Sequence, residues 1–178
     1  MGGLHALKQL LGGLDAHLSQ PLLLCSHTGN SQVDLLCSLL ARHCALPVRE
    51  AQERMPASGG VVHVAPGGYH LLVENDRHFA LSVDEVVRFS RPSIDVLFMA
   101  AAEVYRDSLI GVVLTGANAD GALGLAQIRR YGGLAIVQEP ADAEAPAMPQ
   151  AALDIAGADH CLPLAQIAPL LNRLCLET

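Results

Sequence analysis

The stretch Ile110-Gly111-Val112-Val113-Leu114-Thr115-Gly116-Ala117-Asn118-Ala119-Asp120-Gly121 decides the fold. It opens with an apolar run that does not alternate, the pattern of a strand buried on both faces of a parallel sheet. A glycine-rich turn follows, and the spacing then predicts a helix over 121–131. A second apolar run, Gly133-Leu134-Ala135-Ile136-Val137-Gln138, completes a strand–helix–strand unit. Asp120 therefore stands at the carboxyl end of a strand. Open α/β sheets gather ligands and reactive groups at that edge.

Towards the amino end, Leu4, Leu7, Leu10, Leu11 and Leu14 recur at helical spacing and predict an amphipathic helix over 3–15. Residues 21–25 read as a short buried strand ending at Ser26-His27, and 31–44 as a helix with Val33, Leu36, Leu39 and Leu40 inward. Between Gly60 and Val83 the period shortens. Strands are expected at 61–64, 69–73 and 79–82, with turns at Pro66-Gly67-Gly68 and Asn75-Asp76, so this part reads as a β-hairpin insert.

A helix is expected over 92–105, with Pro92 supplying a preset φ for its first turn. Beyond the central unit come a surface loop at 139–148 and a short helix opened by Pro149. An edge strand at 159–162 and a terminal helix at 164–174 close the chain. The economical architecture is one domain, residues 1–178: a doubly wound, mostly parallel α/β sheet in three Rossmann-like layers, with a β-hairpin insert. Folds of that kind begin with a strand, yet Met1-Gly2-Gly3 leads straight into a helix. The first strand is therefore expected to be missing.

Composition narrows the partners. The 178 residues are 51% hydrophobic, but no run approaches the ~20 apolar residues of a membrane span, so no membrane insertion is expected. Net charge is -7 and no basic cluster exceeds Arg129-Arg130, which argues against nucleic acid. Tryptophan is absent, which removes stacking platforms for bases. Five cysteines without a C-x-x-C pair, and no basic-then-apolar leader, read as reduced thiols in a cytoplasmic protein. A protein or a small molecule is the expected partner.

His27 and Asp120 end two predicted strands, and in a parallel sheet those ends share one edge. A buried carboxylate that accepts the Nδ1 proton of a histidine fixes the ring's tautomer and makes it a general base. The plainer alternatives are a structural histidine and a turn acid capping the helix behind it. Dinucleotide binding fits poorly. Gly116, Gly121 and Gly124 do not form G-x-G-x-x-G, and Ala122-Leu123 stand where a P-loop needs Lys and Ser/Thr. The remaining histidines lack ligand spacing, so neither a metal nor a cofactor is expected. Ser26 adjoins His27 and points to the opposite face, Ser93 reads as the cap of the helix carrying Asp95, and His70 as a hairpin packing residue.

Taken together, the segments resemble the catalytic domain of the chemotaxis protein-glutamate methylesterases, the CheB family. The likeness runs through Gly2-Gly3-Leu4-His5-Ala6-Leu7, Ser26-His27, and Val64-Ala65-Pro66-Gly67-Gly68-Tyr69-His70-Leu71-Leu72. It continues through Arg91-Pro92-Ser93-Ile94-Asp95-Val96-Leu97-Phe98, Leu114 to Gly121, and Met148-Pro149. The resemblance implies a Ser-His-Asp triad whose histidine is His27 and whose aspartate is Asp120. It implies that a turn at Met1, Gly2 and Gly3 carries the nucleophile and the oxyanion donors. The family's serine lies in a Gly-Ala-Ser-x-Gly-Gly turn, where Met1 matches x, so the serine is expected immediately before Met1 and the chain as given is expected to be inactive.

The implied reaction is hydrolysis of methyl-esterified glutamates, and of glutamine amides, in the cytoplasmic regions of methyl-accepting chemoreceptors. The family's phosphorylatable receiver domain is not in these 178 residues. Without a nucleophile, the alternative is a catalytically silent domain that binds receptors or another partner. A missing inner strand also implies that the chain closes the gap or pairs with a second copy, so a homo-oligomer through the gap or a weakened fold is expected.

Overall fold

The computed structural model describes residues 2–27, 32–87 and 90–177. Its helices are α1 (Gly2–Gly12), α2 (Val33–Ala41), α3 (Ile94–Tyr105), α4 (Ala122–Arg130), α5 (Ala147–Ile155) and α6 (Leu164–Leu176). Its strands are β1 (Leu22–Leu24), β2 (Val48–Glu50), β3 (Val62–Val64), β4 (His70–Val73), β5 (Phe79–Ser82), β6 (Ile110–Val113), β7 (Leu134–Gln138) and β8 (His160–Leu162). Two parallel half-sheets, ordered β2-β3-β1 and β6-β7-β8, hold the chain, and β4 pairs antiparallel with β5.

The layers follow from which side chains each face buries. On one face, Ala6, Leu10 and Leu11 of α1, Leu36 and Leu40 of α2, and Ile167 and Leu171 of α6 pack on Val62, Val64 and Ile136. On the other, Ala102, Leu125, Ile128 and Ala152 from α3, α4 and α5 cover Val113, Ala135 and Val137. The hairpin adds its own cluster, in which Leu71, Val73 and Phe79 meet Leu97 of α3. The doubly wound α/β expectation and the β4–β5 hairpin both stand.

Four details differ from the sequence reading, the first being that the helix expected to open at Pro149 begins at Ala147, with Pro149 in its first turn. Val62-His63-Val64 belongs to the parallel sheet, centred between β1 and β2, not to the hairpin insert. Val48-Arg49-Glu50, which the pattern left unassigned, forms the outer strand β2. Pro92 lies outside the helix it was expected to open, because Ser93 is the N-cap and its side chain accepts from the Val96 N–H.

Between β1 and β6 the sheet is open. Each strand is paired on one side only among the described residues, and a cavity of 1460 Å³ separates them. Leu22 donates to Val61 and Leu24 accepts from Ala65, so the peptide groups of Leu23 face the gap. On the opposite bank Leu134 donates to Leu109, which turns the peptide groups of Ile110 and Val112 towards it. Leu4 and Leu7 of α1 and Leu97 and Phe98 of α3 close the space above and below. The gap interrupts the sheet in its interior, between β1 and β6.

Candidate active site

Two helix N-termini meet below the β6 edge, each capped by an acid from the other's segment. Asp95, in the first turn of α3, accepts from the N–H groups of Gly121 and Gly124 at 3.0 and 2.8 Å. Asp120, just before α4, accepts from Ile94 and Asp95 at 2.7 and 2.9 Å. Carboxylates are stabilised there because unpaired N–H groups and the helix dipole converge on them. The exchange requires the helices to touch. A Cβ on Gly124 would stand 2.6 Å from that of Phe98 and 3.1 Å from the Asp95 backbone, and Gly121 adopts φ +99°. Asp120 thus does not cap its own helix, contrary to the plainer alternative.

Asp120 is fully buried and its two oxygens are saturated. Oδ1 receives the Ser93 hydroxyl at 3.0 Å and the Asp95 N–H, while Oδ2 receives the Ile94 N–H and the ring of His27 at 2.7 Å. Burial alone would raise its pKa. The hydrogen bonds from His27, Asp95, Ile94 and Ser93 outweigh that and hold the carboxyl below its ordinary value. An ionised carboxylate only accepts, so the ring nitrogen facing it carries the proton.

That nitrogen is Nε2, not the Nδ1 that the sequence reading assigned to the carboxylate. Nδ1 is therefore the basic atom. It faces the Asn118 amide at 3.5 Å, and Asn118 is oriented by accepting the Asp120 N–H on Oδ1 at 3.0 Å. The His27 side chain is 26% exposed, so its basic face is reachable while the side chain of its acidic partner is sealed at 0%.

The cavity beside β1 and β6 reaches this face, with Gly3, His27, Thr115, Gly116 and Asn118 in its lining. Gly3, in the first turn of α1, lines the same cavity as His27, whereas Met1 lies outside the described residues. No serine, threonine or cysteine among the described residues is hydrogen-bonded to His27. Cys25 also lines the cavity, but burial and then the Asp120 charge push its thiol far up, so it stays protonated. Asn118, and the link of Ser93 and His70 to Asp120, went unread in the sequence. The only signal available was the capping position of Ser93.

A clasped His–Asp pair at the carboxyl edge of a three-layer parallel sheet is the equipment of an α/β acyl-transfer enzyme. The family model for CheB methylesterase matches residues 1–171, and the chain belongs to that family. A relative in Leptospira interrogans is 46% identical over 97% of this chain and 90% of its own length. A protein of Symbiobacterium thermophilum named protein-glutamate methylesterase/protein-glutamine glutaminase is 36% identical over 97% of this chain, which spans 48% of that relative. Protein-glutamate methylesterase FrzG of Myxococcus xanthus is 35% identical over 97% of the chain and 52% of its own length. The crystal structure of the Thermotoga maritima CheB methylesterase catalytic domain superposes with a TM-score of 0.93 at 28% identity, covering 97% of this chain and 93% of that one. The relatives are named as enzymes, and the reading as a catalytically silent binding domain is not favoured.

Proposed function

We propose that the chain, taken whole as one domain, is a carboxylic ester hydrolase acting on protein glutamates, with His27 as general base and Asp120 as its orienting acid. The 2.7 Å bond between His27 Nε2 and a saturated Asp120 supports this most. It fixes the tautomer, leaves Nδ1 unprotonated and able to take a proton, and stabilises the imidazolium that results.

In this reading a hydroxyl nucleophile seated in the β1–β6 gap gives its proton to Nδ1 and attacks the glutamyl ester carbonyl. The oxyanion develops against backbone N–H groups of Gly2 and Gly3 at the start of α1. His27 returns the proton to the departing methanol, and water repeats the sequence on the acyl-enzyme. A glutamine side chain passes through the same intermediate and releases ammonia. The substrates are cytoplasmic regions of methyl-accepting chemoreceptors, so the protein works in the cytoplasm. The open gap also offers a second copy of the chain a place to pair.

The test extends the chain at its amino end with an apolar strand ending Gly-Ala-Ser. Methanol from a methylated receptor fragment, and ammonia from its glutamine form, are then measured. Release of both is expected. A folded extended protein that releases neither refutes the reading.

A further inference from the structure

We propose that Ser93 and His70 are positioning residues for Asp120, so that the hairpin holds the acid and, through it, the ring of His27. Among the described residues Asp120 has one side-chain donor besides His27, the hydroxyl of Ser93, which is 0% exposed. The Ser93 oxygen accepts the Val96 N–H at 3.4 Å, which leaves its one proton for Asp120 Oδ1. Ser93 is in turn held from behind. Its backbone N–H donates to His70 Nδ1 at 3.2 Å, and His70 is 1% exposed.

A backbone N–H only donates, so His70 Nδ1 is an acceptor and the ring's proton sits on Nε2. Nε2 donates to the Glu85 carbonyl at 2.9 Å, in the segment that follows β5. A line of hydrogen bonds thus runs from Glu85 through His70 and Ser93 to Asp120 and ends at His27. Both ring atoms of His70 are used, which is more than packing requires. Removing the ring leaves the Ser93 N–H without this partner in a buried setting, where such a group is costly, and releases the exposed Glu85 segment from the hairpin's histidine. The cap residue then shifts, and Oδ1 keeps the Asp95 N–H alone. With one bond fewer on Oδ1 the carboxylate tilts and selects a single tautomer of the ring it clasps less strongly.

The inference rests on reading His27 and Asp120 as the acid–base pair, and its test needs no turnover. Long-range ¹H–¹⁵N spectra of the chain as it stands report the tautomer of His27 when the ring is neutral. The wild-type ring carries its proton on Nε2. In Ser93→Ala, and in His70→Leu, the Nδ1-protonated form rises roughly fivefold, the size one hydrogen bond accounts for. His70→Asn places an acceptor where Nδ1 stands and returns the spectrum towards wild type. Ser93→Ala removes a single oxygen and remains informative where His70→Leu does not fold. A His27 spectrum unchanged in the folded variants, with only the melting temperature lowered, assigns both residues a purely structural role and overturns the proposal. Failure of ester hydrolysis would count against the proposed function and leave this readout untouched.

Discussion

The two banks of the gap are built to different standards. On the β6 side, Asp120 is buried, four donors saturate it, and the N-termini of α3 and α4 exchange caps beneath it. On the β1 side, His27 follows a three-residue strand with one edge unpaired among the described residues, its side chain is 26% exposed, and it is held chiefly by the acid opposite. The acid is prepositioned by the fold, and the base is positioned by the acid. A charged group that must stay ionised inside a protein needs every lone pair met, whereas a base that exchanges protons with a substrate needs an open nitrogen.

The unequal banks lead to graded expectations. The largest concerns hydrogen exchange. The Leu23 and Val112 amides face the gap, while Val137 lies in a strand paired on both sides. Leu23 and Val112 are expected to exchange at least ~100-fold faster than Val137, because local openings span from near zero to the global stability. Equal protection would mean that the gap is closed in solution, by a second copy or by rearrangement.

Substitution of two glycines separates the banks next. Gly124→Ala drives a methyl into Phe98 and the Asp95 backbone and is expected to cost about 3 kcal/mol in a urea titration, at the upper end of overpacking. Gly3→Ala meets nothing within 4 Å among the described residues and sits in a helix. It is expected to stabilise by up to ~1 kcal/mol through helix propensity. Equal costs would show the β1 side to be as tightly fitted as the other.

The smallest effect is in pH. Asp120 has a folded pKa below its unfolded one, so the unfolded state binds more protons between the two values. Its contribution is fully present above about pH 4 and is lost as pH falls through the lowered value. Urea midpoints of wild type and Asp120→Asn, compared from pH 6 to 3, are expected to converge towards the acid end. A constant difference would remove the carboxylate's charge from the account.

Most of the fold was legible because its signals are local. The apolar runs at β6 and β7, the heptad-like leucines of α1 and the turns of the hairpin each carry their own pattern. β2 escaped because two of its three residues are charged, as an outer strand tolerates. β3 was assigned to the hairpin because a three-residue buried strand looks the same whichever partner it takes. Within the site, strand-end positions pointed to His27 and Asp120, and the resemblance assigned their roles. The exchange of caps between Asp95 and Asp120 joins acids 25 residues apart, and each reads in sequence as belonging to its own helix. The choice of Nε2 over Nδ1 depends on the approach of α3 and on Asn118, which no local pattern encodes.

The central claim is that His27 and Asp120 act as one unit. A double-mutant cycle with His27→Ala and Asp120→Asn, read as methanol release by the serine-bearing extended protein, tests it most directly. Each single change is expected to cost several powers of ten, and the pair together no more than the worse single change. Additive losses, or an Asp120→Asn protein as active as its parent, would contradict the account.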